Sequence, residues 1–278
     1  MWLLITFFSM ALYGIQEFLF KTAERNGCDE EITILTFFFT VGVLALLFSF
    51  LTGEATLNLN TVLFFGISQA TFALFAFILR LEALKKIPSV SAFPLFGLSA
   101  FFSALLGITF LGETLSLIHA LAIFLSVLAV LVLLKSNPLN FKKGMLIALG
   151  SASLMAIANI LTKLASGEVE PFLFIGVSSL YGSIPLFALE KTRKNSVGCK
   201  ETAVKIGILI AVVNLTAFYL LIHVLIIAKA SVVYPIIGLS LVIAIFLSEI
   251  FYKEKLKLST AIAAFLSLIA ILLFGAIS

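Results

Sequence analysis

Charge is scarce in this chain. Only 12% of its 278 residues are Asp, Glu, Lys or Arg, about half the share a soluble domain keeps on its surface. Aspartate occurs once, at Asp29, tryptophan once, at Trp2, and histidine twice, at His119 and His223. The sequence holds no HExxH, no G-x-S-x-G and no nucleotide-binding glycine loop. These absences argue against an enzyme and against ATP as an energy source. The two cysteines, Cys28 and Cys199, each stand alone in a polar stretch without CxxC or Cys/His spacing. No metal, cofactor or redox site is expected from them.

What fills the chain instead is apolar. Hydrophobic residues make up 62% of it and the mean hydropathy is +1.23. A bilayer core of about 30 Å asks for about 20 mostly apolar residues per helix. Ten stretches meet that length, at 2–20, 32–51, 61–79, 89–111, 117–134, 144–164, 171–189, 204–227, 231–250 and 259–277. Backbone amides cannot go unpaired in hydrocarbon, and barrel strands would be shorter and alternating, so each stretch is expected to be helical. The fold class is an all-α polytopic membrane protein with ten transmembrane helices. No basic residue precedes the first apolar run, so a retained helix is expected there rather than a cleaved signal. The net charge of +4 comes from short loops. It reports orientation in a membrane and not a nucleic-acid surface.

The chain also repeats. Shifted by 141 residues, 94–131 falls on 235–272 without a gap and with 16 identities in 38 positions. The matches include Pro94/Pro235, Gly97/Gly238, Ser99/Ser240, Glu113/Glu254 and Ser126/Ser267. A shift of 142 pairs Ser9 with Ser151 and Ile15 with Ile157. Two five-helix repeats, 1–137 and 138–278, are expected in tandem. An odd number of spans per repeat inverts the second copy. The loop charges carry the same signature: one membrane face collects 16 basic residues and the other only Lys163 and Lys229. The positive-inside rule makes the crowded face cytoplasmic and places both termini outside. Inverted repeats are a common architecture of secondary transporters, with the solute site between the halves.

Particular residues carry a family resemblance. The stretch Ala83-Leu84-Lys85-Lys86-Ile87-Pro88-Ser89-Val90-Ser91-Ala92, followed by Pro94, is similar to the Ala-Leu-basic run that enters the fourth helix of EamA-type transporters. Leu111-Gly112-Glu113-Thr114-Leu115-Ser116 resembles the Leu-Gly-Glu signature before their fifth helix. The second repeat keeps Pro235 and Glu254 but reads Tyr252-Lys253-Glu254-Lys255 at that place. On these motifs the chain resembles the EamA-type members of the drug/metabolite transporter superfamily along essentially its whole length. The resemblance implies export or exchange of a small metabolite, such as an amino acid or a related amphipathic compound, by alternating access. It also implies both termini in the cytoplasm, opposite to the loop charges.

Ionisable groups in a bilayer cost about 2.5–3.5 kcal/mol each on insertion scales, so the few present need a reason. Glu113 and Glu254 precede peripheral helices, where a carboxylate stabilises the helix start. Glu17 lies four residues before Lys21; it either forms an interfacial ion pair with it or faces a cavity with Tyr13 and Gln16. Glu82 and His223 stand 141 residues apart in the third and eighth spans. They either pair locally or carry proton coupling, His223 with Tyr219 one turn before it. Gln69, Asn159 and Asn214 are polar residues inside spans, available for packing bonds or for substrate. Pro94 and Pro235 kink the fourth and ninth spans, preceded by Phe93 and Tyr234 and followed by Gly97 and Gly238, and so form a candidate gate.

The expected protein is thus a secondary transporter of a small organic solute, multi-pass in the cytoplasmic membrane, not an enzyme, and monomeric or homodimeric. A nucleotide-sugar or phosphate antiporter of the same superfamily is the alternative, as is a non-transporting membrane protein. A phosphorylated substrate would want Arg or Lys in the midplane cavity, whereas the basic residues here are expected at span ends. The orientation is testable: membrane-impermeant maleimide added to intact cells should leave Cys28 and Cys199 unlabelled, and labelling of both would reverse the topology.

Overall fold

The computed structural model describes residues 1–53, 59–84, 86, 89–114, 116–135, 142–192 and 199–252, with eight scattered residues between 258 and 273. Side chains at 81, 84, 89–94, 129–130, 133–135, 142 and 188–192 are not among those described. The helices are α1 (Trp2–Arg25), α2 (Glu30–Thr52), α3 (Leu59–Leu84), α4 (Ser89–Phe110), α5 (Leu117–Lys135), α6 (Lys142–Ala165), α7 (Pro171–Thr192), α8 (Lys200–Ile227), α9 (Ala230–Gly238) and α10 (Ser240–Tyr252). Among the described residues, six stretches are long and apolar enough to cross a membrane: α1, α2, most of α3, most of α6, α8, and α9 with α10 together. Shorter apolar helices lie in α4, α5 and α7. Large apolar side chains such as Leu4, Phe50, Phe64, Phe110, Phe246 and Phe251 point outward, as they do when lipid is the solvent. The protein is an all-helical polytopic membrane protein. The stretch expected as the tenth span, 259–277, lies largely outside the described residues.

The ninth expected span is two helices. Pro235 sits inside α9, and the helix ends three residues later at Gly238. A proline has no N–H to give the preceding turn and crowds its carbonyl, which breaks the ladder. The chain resumes at Ser240 after a tight turn in which the Leu239 N–H donates to the Ile236 carbonyl at 3.0 Å.

Helix ends inside a membrane leave backbone groups that need partners, and acidic side chains supply several. Asp29 caps α2, its Oδ1 accepting from the Ile32 N–H at 3.1 Å. At the matching position of the second half, the buried Glu170 caps α7. Its carboxylate accepts from the Phe172 N–H at 2.8 Å, from the Leu173 N–H and from the Ser49 hydroxyl at 2.9 Å. Glu113 was expected to stabilise the start of its own following helix. It reaches across to α9 instead, accepting from the Ala230 and Ser231 N–H groups at 2.8 Å each. Lys163 does the reverse at a helix end, donating to the Leu225 carbonyl and to the Ala228 carbonyl at 2.9 Å, where the helix dipole favours a cation.

Packing runs mainly between the two halves. α3 lies on α6, α1 on α8, α2 on α7 and α8, and α4 on α6 and α9. Two hydrogen bonds mark these seams: the Ser9 hydroxyl donates to the Ala217 carbonyl, and the Ser151 hydroxyl to the Ala76 carbonyl, both at 2.8 Å. The two serines, and likewise the two alanines, hold matching positions in the aligned halves. Glycines allow the helices to approach this closely. A Cβ on Gly207 would stand 2.9 Å from the Thr33 carbonyl oxygen and 2.9 Å from Thr36 Cβ. At the matching position, a Cβ on Gly66 would lie 3.1 Å from Val177 Cγ1.

A backbone oxygen cannot step aside as a flexible side chain can. Gly207→Ala should therefore push α8 off α2 and cost about 1–3 kcal/mol, read as a lower unfolding temperature in detergent. Gly66→Ala, which meets only a side-chain methyl, should cost less.

Candidate functional site

Between the halves lies a cavity of about 250 Å³, the room of about eight waters at ~30 Å³ each. It is lined by residues of α1, α2, α3, α4 and of α6 through α10. One part of the wall is aromatic, with Phe37, Phe38, Phe77, Phe96 and Phe218. The rest is polar. Gln69 to Arg80 along α3 spans about 16 Å at 1.5 Å per residue, so the cavity reaches well along the membrane normal.

The strongest polar feature is an ion pair. Arg80 Nη2 donates to Glu17 Oε2 at 2.9 Å, and the two side chains are only 19% and 18% exposed. The guanidinium also lies 4.9 Å from the centre of the Phe96 ring, within range of a cation–π contact. α1 and α3 barely touch each other, since each packs on a helix of the other half. The pair therefore bridges a gap between helices and does not decorate a contact already made. Deeper in the wall, Asn214 Nδ2 donates to Gln16 Oε1 at 2.8 Å with both residues buried. Asn159 Nδ2 donates to the Ser103 hydroxyl at 2.9 Å, and the Tyr234 hydroxyl donates to the Asn159 carbonyl at 2.5 Å.

The comparisons with known proteins fit this architecture. The model of the EamA-like transporter family matches twice, over residues 1–135 and 142–276. The chain belongs to the EamA-like transporter family. That family is one of membrane transporters in the drug/metabolite superfamily, not of enzymes. Among solved structures, one crystal structure superposes with a TM-score of 0.80 at 16% identity, covering 98% of this chain and 96% of the other. It shares the fold. The curated proteins contain no match to the chain.

In this EamA-like transporter the cavity gathers Tyr13, Gln16, Glu17, Gln69, Asn159 and Asn214 from the sequence candidates, along with Gly97, Tyr234 and Gly238. It leaves others outside. Glu82 pairs with Lys86 one turn on, both about two-fifths exposed. His223 lies 3.0 Å through Nδ1 from the Tyr219 carbonyl oxygen. Its ring packs on the Tyr219 ring, which stacks in turn on Phe172 at 4.3 Å. Pro235 lines a small separate pocket against α4 and α5. The side chains of Phe93 and Pro94 lie outside the described residues.

Arg80 was missed. The charge count placed it in the loop after the third span, but α3 continues to Leu84, a full turn beyond it. A signal was available: an arginine three residues before an Ala-Leu-Lys-Lys run can still be helical. Its inward direction could not be read from one sequence.

The lining falls in matched pairs at offsets of 141 or 142: Tyr13/Met155, Phe77/Phe218, Phe96/Ile237, Gly97/Gly238 and Ser99/Ser240. At the ion pair the match fails in character. Glu17 stands opposite Asn159, and Arg80 opposite Leu221. One half of the cavity is charged and the other neutral.

Glu17→Gln takes the counter-charge from a largely desolvated guanidinium and should destabilise the protein by about 1–3 kcal/mol. The double variant with Arg80→Gln should recover part of that loss, because no unbalanced charge remains. Thermal unfolding of the four proteins of this cycle measures the coupling.

Proposed function

We propose that this chain is a secondary transporter that moves a small zwitterionic or amphipathic metabolite by alternating access between two inverted five-helix repeats, 1–137 and 138–278, of a ten-span bundle. Several observations support the inverted relation. The Ser9–Ala217 and Ser151–Ala76 bonds exchange under the repeat, as do the Gly66–Val177 and Gly207–Thr36 contacts. The cavity lining pairs up at the same offsets. Cys28 and Cys199, expected on one membrane face, also meet in space. In this reading the crowded basic face is cytoplasmic and the membrane is the cytoplasmic one.

The observation that carries the substrate reading is the Glu17–Arg80 pair beside an aromatic wall. Its two charges sum to zero, so the cavity attracts neither a bare cation nor a bare anion. A solute with an ammonium, a carboxylate and an apolar body can open the pair and replace each bond with its own charged group. Scaffold pressure alone would not place a charged pair in one half and Asn159 with Leu221 in the other. Coupling to protons, in this reading, belongs to Glu17, because His223 and Glu82 do not line the cavity.

Arg80 also gives the organic-anion alternative a base that the sequence reading lacked. Against it stands the Glu17 carboxylate 2.9 Å away. Counterflow in proteoliposomes decides between the two. Zwitterionic amino compounds should accelerate exchange and phosphorylated compounds should not; the opposite ranking would move the substrate to an anion. Arg80→Gln should reduce apparent affinity for the accelerating solute tenfold or more, as the loss of a charge-assisted bond of about 1.5–3 kcal/mol requires. Unchanged exchange in that variant would remove the pair from the binding site.

A further inference from the structure

The two cysteines, far apart in sequence and in opposite halves, share one corner of the fold. α1 ends at Arg25, Asn26 follows as its C-cap, and Gly27 takes a positive φ of 62°, a left-handed turn that glycine makes without strain. That turn carries Cys28 alongside Cys199, the N-cap residue just before α8. The two form an isolated parallel bridge, held by the Cys199 N–H donating to the Gly27 carbonyl at 3.2 Å. Neighbouring backbones in such pairing lie about 4.8 Å apart, inside the ~4.4–6.8 Å window of Cα separations that a disulfide spans. The Cys28 side chain packs with Ala203. The Ala203 N–H donates to the Cys199 carbonyl at 3.1 Å, so Cys28 packs against the first turn that follows Cys199.

The surroundings divide the two thiols. Cys199 is exposed and Cys28 buried. Cys199 Sγ lies 3.2 Å from the Thr202 hydroxyl; hydrogen bonds from Thr202, side chain and backbone, hold this thiol below its ordinary range, as expected at a helix start. Burial, and then the neighbouring Cys199 charge, push the Cys28 thiol up. An accessible, easily ionised thiol beside a second, sheltered one is the arrangement of a peroxide-sensitive pair.

We propose that Cys28 and Cys199 form a reversible redox pair whose disulfide ties the α1–α2 corner of the first half to the start of α8 in the second. The oxidant is a hydroperoxide. The Cys199 thiolate attacks one peroxide oxygen, the O–O bond breaks, and Cys199 becomes a sulfenic acid with release of hydroxide. Cys28 then attacks that sulfur, giving up its proton, and water leaves as the S–S bond forms. In total two thiols and one hydrogen peroxide give one disulfide and two waters. Because α1 and α2 pack on α8 across the seam of the halves, the bond opposes any rearrangement that parts them there. This consequence rests on the alternating-access reading; the thiol chemistry does not.

The test uses the full chain in proteoliposomes, treated with hydrogen peroxide and then denatured for thiol counting with a maleimide-polyethylene-glycol reagent. Both thiols should disappear together, a Cys28–Cys199 linked peptide should be found by mass spectrometry, and dithiothreitol should restore both. In Cys28→Ser, Cys199 should instead be trapped by dimedone as a sulfenic acid. In Cys199→Ser, Cys28 should stay reactive to maleimide after denaturation. Persistence of both thiols in the wild type, or disulfides only between chains, would overturn the pair. Solute exchange should fall on oxidation and return on reduction; a disulfide without any change in exchange would overturn the tie between halves. A reduced protein that exchanges no solute would count against the transport reading alone, with the thiol count still deciding the pair.

Discussion

Hydrocarbon offers no hydrogen-bond partner, and most of this structure answers that constraint. Along the helices the backbone satisfies itself, and threonine and serine hydroxyls return to the carbonyl four residues back, as Thr6 does to Trp2 and Ser103 to Ser99. Helix ends cannot do this. They are served by Asp29, Glu170, Glu113 and Lys163, of which Glu113 reaches from the first half to a helix start in the second. These four charged side chains are committed to helix termini. A charge found elsewhere in the interior asks for a different explanation.

Glu17 and Arg80 are that exception. They end no helix, and they bridge two helices that hardly touch. Around them the two halves supply equivalent positions, some with similar side chains and others not, as at Phe37/Ser178, Phe38/Ser179 and Ala73/Asn214, but among the described lining residues only Glu17 and Arg80 bring formal charge. A bundle of related halves provides a symmetric container with little choice of solute. With Glu17 and Arg80 in one half and Asn159 and Leu221 at the matching positions of the other, the cavity is charged on one side only. The aromatic wall supplies apolar area and a ring face for the guanidinium. Family membership sets transport as the activity.

The seam between the halves is also where movement would have to occur. Its contacts are of two kinds. Close glycine crossings such as Gly207 on Thr33 and Gly42 on Leu180 are steric and tolerate little sliding. Polar ties such as Glu113 on the start of α9 can be broken and remade at a cost water could repay. The broken helix at Gly238 lies between the cavity and the small pocket behind it, one turn after Pro235 has already taken an N–H from the backbone ladder.

Sequence by itself determined the solvent, the helical class and the duplication, because these follow from quantities that add along the chain: hydropathy over about twenty residues, matched motifs at one offset, and the sign of loop charge. It also singled out Tyr13, Gln16, Glu17, Gln69, Asn159 and Asn214, since a polar side chain in an apolar run is conspicuous without coordinates. Tertiary structure alone decided partners. Glu17 has Lys21 at helical spacing in the sequence and Arg80 in space, 63 residues on; Glu113 caps a helix 117 residues away; Cys28 and Cys199 meet across most of the chain. Each of these depends on how far a helix runs and which way it is rotated about its axis. A helix that is apolar all round leaves that rotation unwritten in its sequence, and packing against the other half sets it.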